Sequence, residues 1–443
     1  MKKCLLILPI LLSFFGTAQK LNSNEDKIEK AKTELENDID AFQQCILNKD
    51  LDSCIETLIS KADNPYKKYL IGGVLFEIDA DKSFELHQQA YLAEPNELNF
   101  NLEYALELHR KGQYKEAAEL YKKYEKEAPD DFRANVWLAD CFINLGDIQQ
   151  SIKYWAKTNH SRNHTAIDQS IHIIYGRSYQ VRLRNTYRTE INNGHFEHIN
   201  QLIFMDMNWQ LDWWNTNVQK YFLEKDLQLL DQRMKPTDHQ YILLNTYTQI
   251  KNLPQSYTSE DSIRALLTKN KMILNNQPLP SSGLITSDLL RICFQYNFFS
   301  EYDFYSNRGE ELLKQAQQTK DIELLNSYAY LQSKVTKKVD SAIDRQGWID
   351  FKDERFAKSY FTGKVNTLTI DDKELNQALL DFPFSSSIYW FKANAARNKN
   401  LALTPFLVEL IKKEFRTLGS DPSHYSYRLH SYFQFLAEEQ SKQ

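Results

Sequence analysis

EYALELHRKGQYKEAAELY at residues 103–121 and WLADCFINLGDIQQSIKYW at residues 137–155 are one pattern written twice, 34 residues apart. Tyr104 pairs with Leu138, Ala105 with Ala139, Leu108 with Phe142, Gly112 with Gly146, Ala117 with Ser151 and Tyr121 with Trp155, and Pro95 and Pro129 keep the same interval. Within one copy, Tyr104, Ala105 and Leu108 share a helix face, and Ala117, Leu120 and Tyr121 share another. The small residues let the two helices approach closely, while Leu108 and Tyr121 fill the space around the contact. Gly112 and Gly146 stand where the chain must reverse, a position that asks for positive φ. Pro129 follows the second helix, which it cannot continue. A helix pair of this size cannot bury its own apolar face, so copies must stack. The expectation is an all-α protein, an α-solenoid of helix–turn–helix repeats.

An earlier copy is fainter. Leu70, Val74, Ser83, Ala90 and Pro95 fall in register, with Ile71 in the small slot and Gly72 and Gly73 beside it. Together these residues resemble the tetratricopeptide repeat. The copies from Leu98 to about Thr158 follow that pattern, and residues 64–97 follow it more loosely. One departure is that Asn101 and Asn135 stand where a typical repeat carries a large aromatic, although Trp137 lies close by. The resemblance implies that the first helix of each pair lines the face on which partner proteins lie. Mapped onto this chain, that face carries Asn99, Leu102, Leu106 and His109, then Arg133, Val136, Asp140, Ile143 and Asn144. Family members that clamp a C-terminal carboxylate use a Lys- and Asn-rich set there, of which only Asn99 and Asn144 have counterparts. The competing expectation is that the chain's own N- or C-terminal helices fill this groove.

Composition agrees with helices joined by short turns: Gly and Pro number 12 and 11 in 443 residues, about half or less of ordinary usage. A net charge of −5 argues against nucleic acid as the main partner. Met1 to Ala18 reads as a secretory signal, with Lys2 and Lys3, an apolar run from Leu5 to Phe15, and then Gly16-Thr17-Ala18. The run is too short to span a bilayer. Cys4 precedes it, and no cysteine follows where a lipid anchor would attach. The expectation is an exported protein, periplasmic or secreted, that begins at Gln19 and does not insert in the membrane after cleavage. Export permits disulfides. Cys45 and Cys54 flank a turn at 48–50 and are read either as a bridge across a hairpin or as two separate buried thiols. Cys141 and Cys293 sit in apolar helical patterns and read as core.

The expected organisation is a signal over 1–18, an N-terminal helical hairpin over 19–63, repeats over 64–160 and a degenerate helical-repeat region over 161–443. Asp26 to Leu47 places Ile28, Ala31, Leu35, Ile39, Phe42 and Ile46 on one helix face. Later helices are expected at Ala166–Tyr175, Leu375–Phe382, Tyr389–Ala396, Phe406–Phe415 and Tyr427–Ala437, among others, with an extended piece around Val365–Ile370. The clearest breaks are residues 252–258 and 275–283.

No catalytic, metal or cofactor set emerges. His160 and His164, and His195 and His198, have helical spacing, but no third ligand accompanies either pair; all four are read as solvated, with residues 159–163 as a polar turn. Arg177, Arg182, Arg184 and Arg188, interleaved with Tyr179 and Tyr187, read as a solvated face. Trp209, Trp213 and Trp214 read as core before they read as a sugar platform. The function expected is a non-enzymatic scaffold or adaptor that binds another protein through its repeats. The alternative is a glycan- or small-ligand-binding protein of the envelope.

Overall fold

The computed structural model describes residues 25–48, 51–176 except 77 and 130, 341–366, 370–420 and 426–442, with scattered positions between 186 and 329. The signal segment, Cys293, the three clustered tryptophans, Arg177, Arg182, Arg184, His195 and His198 lie outside the described residues, as do both expected breaks. All regular elements among the described residues are helical. Of these residues, 25–193 and 400–442 belong to one compact unit and the positions from 228 to 399 to a second.

The first unit opens with a hairpin, α1 (Glu25–Asn48) and α2 (Leu51–Ile59). All six apolar positions expected on one face of α1 are buried, in a core shared with Ile55, Leu58, Leu70 and Phe100. Cys45 and Cys54 are joined by a disulfide that ties α1 to α2.

Three helix pairs follow in series: α3 (Pro65–Leu75) with α4 (Ala80–Ala93), α5 (Leu98–Arg110) with α6 (Tyr114–Glu127), and α7 (Phe132–Leu145) with α8 (Ile148–Lys157). Each neighbour packs on the next, as a tetratricopeptide-like solenoid requires. Starts are fixed by side-chain caps: Asn64, Asp79, Glu97, Asp131 and Asp147 each accept a backbone N–H of the helix they precede. A cap of this kind contributes about 1 kcal/mol. Gly112 and Gly146 adopt φ of +75° and +84°, so each first helix closes in the left-handed region open to glycine. Ala105, Ala117, Ala139 and Ser151 are fully buried, and the Ser151 hydroxyl donates to the Ala139 carbonyl at 2.6 Å.

The faint first pair departs from its expected register by one residue. Its serine, Ser83, donates to the carbonyl of Gly72 at 2.9 Å, not to that of Ile71. A Cβ built on Gly72 would lie 2.8 Å from His87 Nε2, so Gly72 is the point of closest approach. No glycine ends α3. Ile78 and Asp79 bond back to the Leu75 carbonyl instead, and that tighter turn shifts the contact by one position.

Helix α9 (His160–Ile171) enters through Asn159 at φ +49° and runs into a π-helical turn at His172–Gly176. The polar turn expected at 159–163 is therefore the first turn of a helix. Skipping the second unit, two C-terminal helices, Thr404–Ser420 and Tyr427–Ser441, pack on each other and on the repeats: the former on α7, α9 and the 172–176 turn, the latter on α8.

In the second unit, α10 (Ser341–Phe351) pairs with α11 (Glu354–Asn366), and α12 (Asp372–Asp381) with α13 (Ser386–Asn398). Trp348, Phe356, Phe361, Leu375 and Ile388 form its core, and Trp348 Nε1 donates to Asp381 at 3.0 Å. Val365, expected in an extended piece, is helical, because Tyr360 and Phe361 carry the buried face of α11 up to it. The two C-terminal helices are numbered α14 (Thr404–Ser420) and α15 (Tyr427–Ser441). No helix among the described residues is long and apolar enough to cross a membrane.

Candidate protein-binding groove

The nine groove residues come together on α5 and α7 as the repeat register requires. They are not open. Leu102, Leu106, His109, Arg133, Val136, Asp140 and Ile143 are buried, and Asn99 and Asn144 are half-buried. The chain covers the face itself: the 172–176 turn packs on α5, and α14 packs on α7 and on that turn. Of the two expectations for this face, the arrangement matches the one in which C-terminal helices fill it.

The covered end is polar and tightly bonded. His109 Nε2 is 2.8 Å from Asp140 Oδ2, and the Tyr175 hydroxyl donates to the same oxygen. Asn144 Nδ2 donates to Asp140 Oδ1 at 2.8 Å and to its carbonyl at the same distance. On its other side, His109 Nδ1 meets the Tyr121 hydroxyl at 3.2 Å and Cys141 Sγ at 3.6 Å. Burial raises the Tyr175 hydroxyl well above its ordinary range, and the Asp140 charge adds to the effect. Burial raises the Tyr114 hydroxyl above its ordinary range, an effect that the nearby Asp140 charge reinforces and Tyr175 and the Arg416 guanidinium of α14 oppose. Burial disfavours the Arg416 cation, but Tyr175, Tyr114 and Asp140 outweigh it and raise its pKa. The groove is thus closed by polar groups that satisfy one another, as a buried network must.

Cys141, His109 and Asp140 stand in the order of a nucleophile, base and carboxylate. Cys141 is fully buried, however, and burial pushes its thiol well above the ordinary range. A thiol held protonated is a poor nucleophile. Arg133 is also spent inward: its Nε donates to Asp131 at 2.9 Å and its Nη2 to the Tyr124 hydroxyl at 3.3 Å. Burial works against the Asp131 charge, but the Arg133 bonds outweigh it and lower the carboxyl's pKa.

A second seam joins the end of the repeats to α15. Trp155 stacks on Phe433 with ring centroids 4.6 Å apart and planes at 10°. Its period-mate Tyr121 meets Trp137 of the next repeat at 5.3 Å. Where the array has no further copy in sequence, α15 supplies the missing ring. His160, expected to be solvated, is buried here against His430 and Ser426. The reason is tertiary, since 266 residues separate His160 from the serine it bonds.

The tetratricopeptide repeat family matches residues 108–160. Over that span the chain is similar to the tetratricopeptide repeat. The matched span begins near the end of α5 and ends at the first residue of α9, so it covers α6, α7 and α8 whole. No curated protein matches this chain. Solved structures similar to it include the human IFIT1 dimer with m7Gppp-AAAA, at 12% identity over 88% of this chain and 76% of that one, TM-score 0.22. The human IFIT1 dimer with PPP-AAAA gives 12%, 87%, 79% and 0.22. Naa15/Naa10 bound to HypK-THB gives 12%, 98%, 66% and 0.21. Scores this low carry no functional comparison.

Sequence reading missed Tyr175, Arg416, His430 and Phe433. One local signal pointed to the last: Trp155 repeats the position of Tyr121, so a ring was owed to it from somewhere.

Proposed function

We propose that this chain is an exported, non-enzymatic scaffold that binds another protein through its tetratricopeptide array. The observation that carries the reading is the array itself, three helix pairs stacked in series from Pro65 to Lys157. Such arrays present extended surfaces to partner chains. Periplasmic or secreted location is supported by the signal-like residues 1–18 and by the Cys45–Cys54 bridge, since disulfides persist in oxidising compartments. The binding face is the one on α5 and α7. Because α14 and the 172–176 turn occupy it here, partner binding is coupled to displacement of residues 404–441.

The test uses the chain from Gln19 as immobilised bait on solubilised envelope extract, with and without a large excess of a synthetic 404–441 peptide. A partner recovered and then lost on adding the peptide supports the reading. Recovery indifferent to the peptide moves the surface elsewhere, and no recovery above background counts against a scaffold.

A further inference from the structure

The seam between α9 and α15 carries two imidazoles face to face. The His160 and His430 centroids are 4.3 Å apart, with planes 5° from parallel. His160 Nε2 lies 2.8 Å from Ser426 Oγ. Trp155 Nε1 donates to His430 Nδ1 at 3.2 Å, so that nitrogen must be an acceptor and the ring neutral. His164, one helical turn beyond, is 6.3 Å from His160, and its Nδ1 is buried with no hydrogen-bond partner among the described residues. Tyr427 lies 5.1 Å from His160 and 5.2 Å from His164.

Among the described residues, few groups near this cluster could stabilise added positive charge. Asp168, on α9, already accepts from the Ser426 backbone N–H and interacts electrostatically with His164. On α14 and α15, Glu414 and Arg428 pair with each other at 2.9 Å. The other described neighbours named by ring contacts are aromatic: Trp155 from α8, with Phe415 of α14 set edge-on to it. Burial, reinforced by His430 and His164, holds His160 at about 4, and burial also lowers His430. Two stacked cations at this distance repel each other, and a proton on His430 Nδ1 removes the acceptor that Trp155 needs.

We propose that the His160–His430 stack is an acid-sensitive latch, and that its protonation releases α14 and α15 from the end of the repeat array. The sign follows from linkage. Docking is at full strength above the ordinary histidine range, near 6.5, and weakens as the pH falls toward the docked value of about 4. For His160 alone these values imply about a 30-fold weaker docking constant at pH 5. That release would uncover the partner face rests on the scaffold reading; the release itself does not.

Hydrogen exchange on the full chain without any partner reads the release directly, with rates corrected for intrinsic pH dependence. Between pH 7.5 and pH 5, protection of residues 427–441 should fall about 30-fold relative to residues 114–127. His160→Gln retains a group able to bond the Ser426 hydroxyl but cannot titrate, and should blunt that loss. Loss of both segments in step, retained protection at 427–441, or an unblunted loss in H160Q would overturn the latch. NMR titration of the parent's imidazoles needs no variant: His160 titrating below 5 supports the proposal, and titration near 6.5 refutes it.

Discussion

Trp155→Ala should unseat the C-terminal helices while the upstream repeats stay folded. The indole is 3% exposed, stacks on Phe433 at 4.6 Å, meets Phe415 edge-on at 6.0 Å and donates to His430. Removing a buried tryptophan costs about 3–5 kcal/mol, and Phe433→Ala should cost a similar amount. The two rings meet each other, so the losses should not add; an aromatic pair contributes about 0.5–1.5 kcal/mol beyond burial. Urea unfolding of the parent, both single variants and the double variant gives the coupling, and hydrogen exchange shows where the loss falls. Residues 427–441 should lose protection well before residues 98–127. Additivity within about 0.3 kcal/mol, or equal loss in both segments, would refute the claim that α15 stands in for a further repeat.

Further substitutions test the array and the hairpin that precedes it. Gly72→Ala gains about 1 kcal/mol of helix propensity but drives a Cβ to 2.8 Å from His87 Nε2. His87 is buried and held by Glu107 at 3.0 Å, so overpacking of about 1–3 kcal/mol should win, and His87→Ala should reverse the sign in thermal melts. Burial opposes the charge on Glu107, but Arg110 and His87 outweigh it and hold the carboxyl at about 2, against 4.5 ordinarily. Its contribution, about 3 kcal/mol, is therefore present above pH 4.5 and lost as the pH falls toward 2; Glu107→Gln should lower stability at pH 7 and flatten the acid limb of the unfolding midpoint against pH. Finally, Cys45→Ser with Cys54→Ser opens a loop closed over 9 residues and should cost about 2–3 kcal/mol in urea titrations under oxidising conditions, with no difference from the reduced parent.

Much of the candidate site was legible because tetratricopeptide contacts are local in sequence. Ala105 against Ala117 and Ala139 against Ser151 lie 12 residues apart, so a 34-residue period predicts both the pairing and the turn glycines. The same locality brought His109 alongside Asp140 on neighbouring first helices. What covers them was not legible. Asp140 meets Tyr175 from 35 residues away and Trp155 meets His430 from 275 away, and no periodicity spans those separations. The one-residue shift at Gly72 was hidden for a smaller reason, since it depends on how tightly the chain turns after Leu75.

The repeating pattern by itself determined the helical class, the pairing of α5 with α6 and α7 with α8 and the glycine stops of α5 and α7, and the apolar periodicity of α1 determined its six-residue buried face. All of these follow from side-chain spacing and backbone preference within a few dozen residues. Only the tertiary structure decided that residues 404–441 return to the end of the array, that Phe433 fills the place of a next repeat's ring, and that the partner face is occupied by the chain itself. An array of stacked pairs leaves an apolar end after its last copy. Which segment buries that end is settled by shape and burial among residues hundreds of positions apart, and such a choice leaves no period in the sequence.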